Sequence, residues 1–96
     1  MGLSQVDSDD ILKKQIGAAI QELREARSLT RLEMACKLDL HLSTYQSWER
    51  GRHLIPLSRF IDVCEVLGVR ASDMLETALR AVELRKARMA LVSKEG

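Results

Sequence analysis

The sequence predicts an all-α fold, a compact domain of five helices of which the last is long. Three observations carry this. Apolar residues recur at three- and four-residue spacings along most of the 96-residue chain, the period of a helix face and not of a strand. These stripes break off at short polar or glycine-marked points such as Gly51 and Gly68, natural left-handed helix stops. From Ser72 to about Val92 there is no Pro or Gly, and Ala, Leu, Arg, Glu and Lys dominate, all strong helix formers. A chain of this length supports one core and not two.

The elements follow in order. Residues 1–10 read as a flexible acidic segment with Asp7, Asp9 and Asp10. Residues 11–27 place Ile16, Ile20 and Leu23 on one helical face, with Asp9 or Asp10 as the cap. Thr30 stands three residues before Glu33, the spacing of a capping box, so a second helix starts near Arg31 with Met34, Ala35 and Leu38 as its apolar stripe. Asp39, Leu40 and His41 interrupt that stripe. Ser43, Tyr45 and Trp48 open a third helix that stops at Gly51. After a basic loop with Arg52 and His53, Pro56 suits a first helical turn, and Phe60, Ile61, Cys64 and Leu67 follow at core spacing up to Gly68. Ser72 and Asp73 signal the start of the fifth helix. The expected organisation is a core domain over 11–79 and a helical extension over 80–96.

Charge is unevenly spread. The net formal charge is only +1, yet residues 24–59 hold seven Lys or Arg against four Asp or Glu, while residues 1–23 are net acidic. The positive charge sits in the middle of the chain, where an anionic partner would be met. No apolar run approaches the roughly 18 residues of a membrane span, and the polar start lacks an export signal, so a cytoplasmic location is expected and no membrane partner. Cys36 and Cys64 lie 28 positions apart with no CxxC pair, which reads as two free thiols, Cys64 buried, and no metal site. Cys36, His41 and His53 fit no ligand spacing, and no nucleophile stands with a base and an orienting acid. The expectation is therefore no enzyme, no cofactor and no small-molecule substrate.

The stretch 30–51 is two short helices joined by a tight turn, the arrangement of a helix-turn-helix. Its positions carry physical demands. Ala35 must be small because the helices cross closely there, Leu40 must be apolar to anchor the turn, and Asp39 must accept a left-handed or bridging conformation. Tyr45 and Trp48, three apart on a short helix, read as core and not as a stacking platform.

Leu23-Arg24 through Leu29-Thr30, Leu32-Glu33-Met34-Ala35, Leu38-Asp39-Leu40, Trp48-Glu49-Arg50-Gly51 and Val66-Leu67-Gly68-Val69 together resemble the Cro and phage-repressor (XRE) family, over about residues 16–75. Ser28 and Asp39 stand where that family usually has glycine, and His41 where it has a capping serine. The resemblance implies a lambda-repressor-like domain and a sequence-specific regulator of transcription, a repressor that binds a palindromic operator in double-stranded DNA as a homodimer. It also implies roles. Leu42, Ser43, Gln46 and Ser47 would meet base edges. Arg31, Thr44, Tyr45, Arg50, Arg52 and His53 would meet phosphates. Arg24 would form a structural ion pair with Glu49. Leu75, Leu79 and Val82 lie on one stripe of the last helix, and Met89 and Val92 continue it, so a dimerisation surface is expected there. An antitoxin or adaptor whose main role is to bind a protein partner is the alternative.

Overall fold

A computed structural model describes the backbone of residues 2–95 and the side chains of residues 9–91. It contains α1 (Gly2–Ala26), α2 (Arg31–Lys37), α3 (Leu42–Glu49), α4 (Leu57–Leu67) and α5 (Ala71–Glu95), and no strand among the described residues. This is the all-α, five-helix architecture that the sequence predicts.

The boundaries differ in three places. α1 begins at Gly2, so helix occupies positions expected to be a flexible segment. Asp9 and Asp10 therefore sit within the helix and do not cap it; Asp10 lies 3.4 Å from Lys14, one turn on, in an exposed ion pair. Pro56 stands immediately before α4 as its cap and not in the first turn. α5 starts at Ala71, which places Asp73 in the first turn. The side chains of Asp7 and Val92 lie outside the described residues.

The first four helices end in the same way. Each is followed by a residue with positive φ: Ser28 (56°), Asp39 (56°), Gly51 (69°) and Gly68 (71°). In each case the next residue's N–H reaches back five positions, as in Leu29 to Arg24 at 3.1 Å, Leu40 to Ala35 at 2.9 Å, Arg52 to Ser47 at 2.9 Å and Val69 to Cys64 at 3.0 Å. These bonds satisfy carbonyls that a helix terminus otherwise leaves open, and they turn the chain sharply toward the next helix.

Packing follows the apolar stripes. Ile20, Met34, Tyr45 and Val63 are fully buried, one from each of the first four helices, and α5 closes the core with Met74, Ala78 and Val82. α1 packs against α5 and α3, α2 against α3, and α4 against α5. Ala19, Leu23, Met74 and Thr77 line one hollow, while Ile11, Lys14, Arg85 and Met89 line another. The late part of α1 thus faces the early part of α5, and the pair runs antiparallel. Among the described residues, no helix is long and apolar enough to cross a membrane.

Two glycines set the seat of α3 on α1. A Cβ at Gly17 would lie 2.5 Å from the carbonyl oxygens of both Trp48 and Glu49, so backbone meets backbone there. Gly51, just past α3, would place a Cβ 2.9 Å from the Cα of Lys14. The end of α3 is therefore fixed against the middle of α1.

Candidate nucleic-acid interface

α2 starts on a complete capping box. The Thr30 hydroxyl accepts from the Glu33 N–H at 3.0 Å, and the Thr30 N–H donates to Glu33 Oε1 at 2.8 Å. The bond from the Thr30 backbone holds the Glu33 carboxyl below its ordinary pKa. Met34 and Ala35 turn inward, Ala35 being 1 % exposed where α2 meets α3. Asp39 takes the left-handed conformation of the turn, and Leu40 packs against the core beneath it.

α3 then splits into two sides. Tyr45, Trp48 and Glu49 are buried, with the Tyr45 and Trp48 rings edge to face at 6.4 Å. Ser43 and Thr44 are exposed, and Leu42, Gln46 and Ser47 are partly so. Ser43, Thr44 and Gln46 thus share a solvent-facing side of the short helix. Ser47 is less open than that reading implies, because its hydroxyl already donates to the Thr44 carbonyl at 2.7 Å, which leaves only its acceptor positions. His41 precedes the helix without a side-chain capping bond.

The loop after α3 is tied back to it by backbone. Gly51 N–H donates to Trp48 O at 3.1 Å, and Arg52 and His53 N–H both donate to Ser47 O, at 2.9 and 3.4 Å. Arg50, Arg52 and His53 are left exposed beside the open side of α3. Three donors held by a fixed backbone at the end of a helix suit a phosphate chain.

Beneath this surface lies a buried charge cluster around Glu49, whose side chain is fully buried. Arg24 donates from Nε to Glu49 Oε2 at 2.6 Å and from Nη2 to Oε1 at 3.2 Å, and from Nη1 to the Leu29 carbonyl at 2.7 Å. The pair joins α1 to α3 and also holds the turn before α2. The Tyr45 hydroxyl donates to Glu49 Oε2. This corrects the sequence reading of Tyr45 as a phosphate contact: the ring is fully buried and the hydroxyl turns inward, because an ionised carboxylate inside the protein demands a donor. Arg31 Nε also donates to Glu49 Oε1, at 3.0 Å, a bond the sequence did not reveal. Burial opposes the charged form of Glu49, but the bonds from Arg24, Tyr45 and Arg31 outweigh it and hold the carboxyl below its ordinary pKa. Burial and the bond to Glu49 push the Tyr45 phenol well above its ordinary value.

The expected dimer residues fall in different environments. Val82 is 7 % exposed and belongs to the monomer's own core, and Leu75 packs against that core. Leu79 and Met89 are exposed. So are Leu84 and Leu91, which sequence reasoning missed although they stand seven residues, two helical turns, apart. Cys36 is exposed, and Cys64 is buried with its sulfur 3.4 Å from that of Met74. Among the described residues, no group of His, Cys, Asp and Glu is arranged to hold a metal ion.

Two short helices joined by a left-handed turn, the second presenting a polar side and flanked by exposed basic groups, define a helix-turn-helix regulator of the DNA-binding class. The helix-turn-helix family profile matches residues 20–74, more than half of the chain, and the chain belongs to that family. Among solved structures it is similar to the crystal structure of the clp gene regulator ClgR from Corynebacterium glutamicum. The two share 27 % identity with a TM-score of 0.74, over 85 % of this chain and 87 % of that one. A second ClgR crystal structure from the same organism aligns at 27 % identity and a TM-score of 0.67, over 73 % of this chain and 91 % of that one. Comparison with curated proteins returns no match.

Proposed function

We propose that the protein is a sequence-specific repressor of transcription that acts in the cytoplasm, at the nucleoid, as a homodimer on a palindromic operator. α3 enters the major groove, and two copies reach successive grooves roughly 34 Å apart. The observation that carries this reading is the two-sided α3. Tyr45, Trp48 and Glu49 lock one side into the core, while Ser43, Thr44 and Gln46 stand open beside Arg50, Arg52 and His53. Gln46 suits the paired donor and acceptor of adenine, Ser43 either hydrogen-bonding sense, Ser47 a base-edge donor and Leu42 a thymine methyl. Arg50, Arg52, His53 and Thr44 take the backbone, as does Arg31.

The test is binding to a selected operator and to random duplex across a range of salt. Arg50→Ala is expected to weaken binding to both and to lower the slope of log affinity against log salt by about one. Gln46→Ala is expected to change which operator is preferred while random-duplex binding stays. An Arg50→Ala protein with unchanged affinity and slope would contradict the phosphate role.

Leu84 and Leu91 support a dimer through the 80–96 extension. They lie on one side of α5, away from the face that Met74, Ala78 and Val82 bury, and they are 56 % and 62 % exposed. Leu79 and Met89 are exposed as well, but Met89 lies two turns after Val82 on the stripe that faces α1, and not beside Leu84 and Leu91. The same exposed leucines favour the second reading, an adaptor or antitoxin with a protein partner, and the mass of the purified protein separates the two.

A further inference from the structure

Glu49 is one carboxylate facing two guanidinium groups, and the two are used differently. Arg24 is buried and commits all three of its nitrogens, two to Glu49 and one to the Leu29 carbonyl. Arg31 is 35 % exposed along its side chain and commits only Nε to Glu49. Among the described residues, no bond is made by its two terminal amino groups. Arg24 also has the exposed Glu25 carboxylate 3.9 Å from Nη2, so its charge is answered within the fold, and the solvent-facing guanidinium of the cluster is that of Arg31.

The guanidinium is planar, so an anchor at Nε fixes the direction in which the terminal pair points, and that pair is the fork that matches two oxygens of one phosphate. We propose that Glu49 is a positioning residue for DNA binding, one that holds Arg31 from inside the fold so that its two terminal amino groups grip a single backbone phosphate. The inference rests on the DNA-binding reading and deepens it. Arg31 is a braced contact whose side-chain freedom is already reduced on folding, in contrast to Arg50 and Arg52, for which no side-chain bond is formed among the described residues. Arg24, saturated and buried, takes no part in contact with DNA.

Replacing Glu49 itself would strand Arg24 in the core, so the test runs through Arg31. Arg31→Ala, Arg31→Lys, Arg50→Ala and Arg50→Lys are compared with the unsubstituted protein for thermal midpoint and for affinity to random duplex across salt. Arg31→Ala is expected to bind roughly tenfold more weakly, the scale of a charge-assisted bond, with the salt slope lower by about one. Arg31→Lys is expected to lose nearly as much, because its single nitrogen is drawn to Glu49 and has no second edge to offer. Arg50→Lys, which keeps the charge of a phosphate contact that no carboxylate holds, is expected to lose less than Arg31→Lys.

Wild-type affinity in Arg31→Lys overturns the brace. A drop in thermal midpoint for Arg31→Ala with an unchanged salt slope overturns it too, and makes Arg31 structural only. Failure of the unsubstituted protein to bind any duplex removes the DNA reading itself, and this inference with it.

Discussion

A carboxylate with no exposed side-chain surface is costly unless donors surround it, and Glu49 has them from three residues. The sign of its pH dependence follows. Its folded pKa is lowered, so its contribution to stability is present above the ordinary glutamate value of about 4.3 and is lost as pH falls through the folded value. Tyr45 acts in the opposite direction. Its folded pKa is raised, so its contribution is complete below the ordinary value of about 10 and declines as pH rises beyond it. Tyr45 is the sole tyrosine, which makes this measurable: phenolate absorbance is expected to appear only together with loss of helical circular dichroism. Reversible ionisation near pH 10 with the helices intact would contradict the buried bond. Ser28 offers a second test. A serine at positive φ carries a strain of about 1 kcal/mol that glycine lacks, so Ser28→Gly is expected to raise the thermal midpoint by about 4 to 8 °C. Of these features, the Arg24–Glu49 pair was legible through family resemblance and the left-handed Asp39 through the demand of the turn, while Ser28 showed only as a departure from the family's glycine. The Arg31 bond was not, because it spans 18 positions and depends on how α2 lies over α3.

Helix ends were legible where the signal is local. Thr30 and Glu33 are three residues apart and bond each other whatever the rest of the chain does, so the start of α2 could be read directly. Thr30→Ala is expected to cost about 1 kcal/mol, seen as a lower midpoint in urea with an unchanged slope. Gly17 is the opposite case. A glycine inside α1 costs about 1 kcal/mol relative to alanine in a free helix, yet here alanine has nowhere to go. Gly17→Ala is expected to destabilise the protein by about 3 kcal/mol, because the neighbours in the way are the Trp48 and Glu49 carbonyls and not a movable side chain. A glycine in the middle of an amphipathic stripe was the available sign, and nothing in the stripe says which helix crosses there. The start of α1 was missed for a related reason: Asp9 and Asp10 read as a cap only if the chain before them is not already helical.

At the scale of the molecule, α1 and α5 form an antiparallel pair along a body 47 Å long and 23 by 21 Å across. Residues 83–91 of α5 are all exposed, so the apolar stripe ends its structural duty at Val82. The sequence reading drew that division at 79/80, about one turn early, because Val82 and Met89 share one stripe and nothing in the stripe shows where the core stops covering it. If the dimer forms through residues 80–96, Leu84→Asp with Leu91→Asp is expected to halve the mass measured by light scattering while leaving helicity and thermal midpoint nearly unchanged. The substitution Val82→Asp should instead unfold the monomer. A dimer that survives the double change would place the interface elsewhere. One consequence reaches beyond this protein. Because α3 is gripped from a single side by Tyr45, Trp48 and Glu49, its other side carries no duty to the scaffold. On the proposed reading of α3, changes at Ser43, Thr44 and Gln46 after a gene duplication would drift toward a new set of promoters while both copies continue to fold, so that one architecture would supply many unconnected circuits.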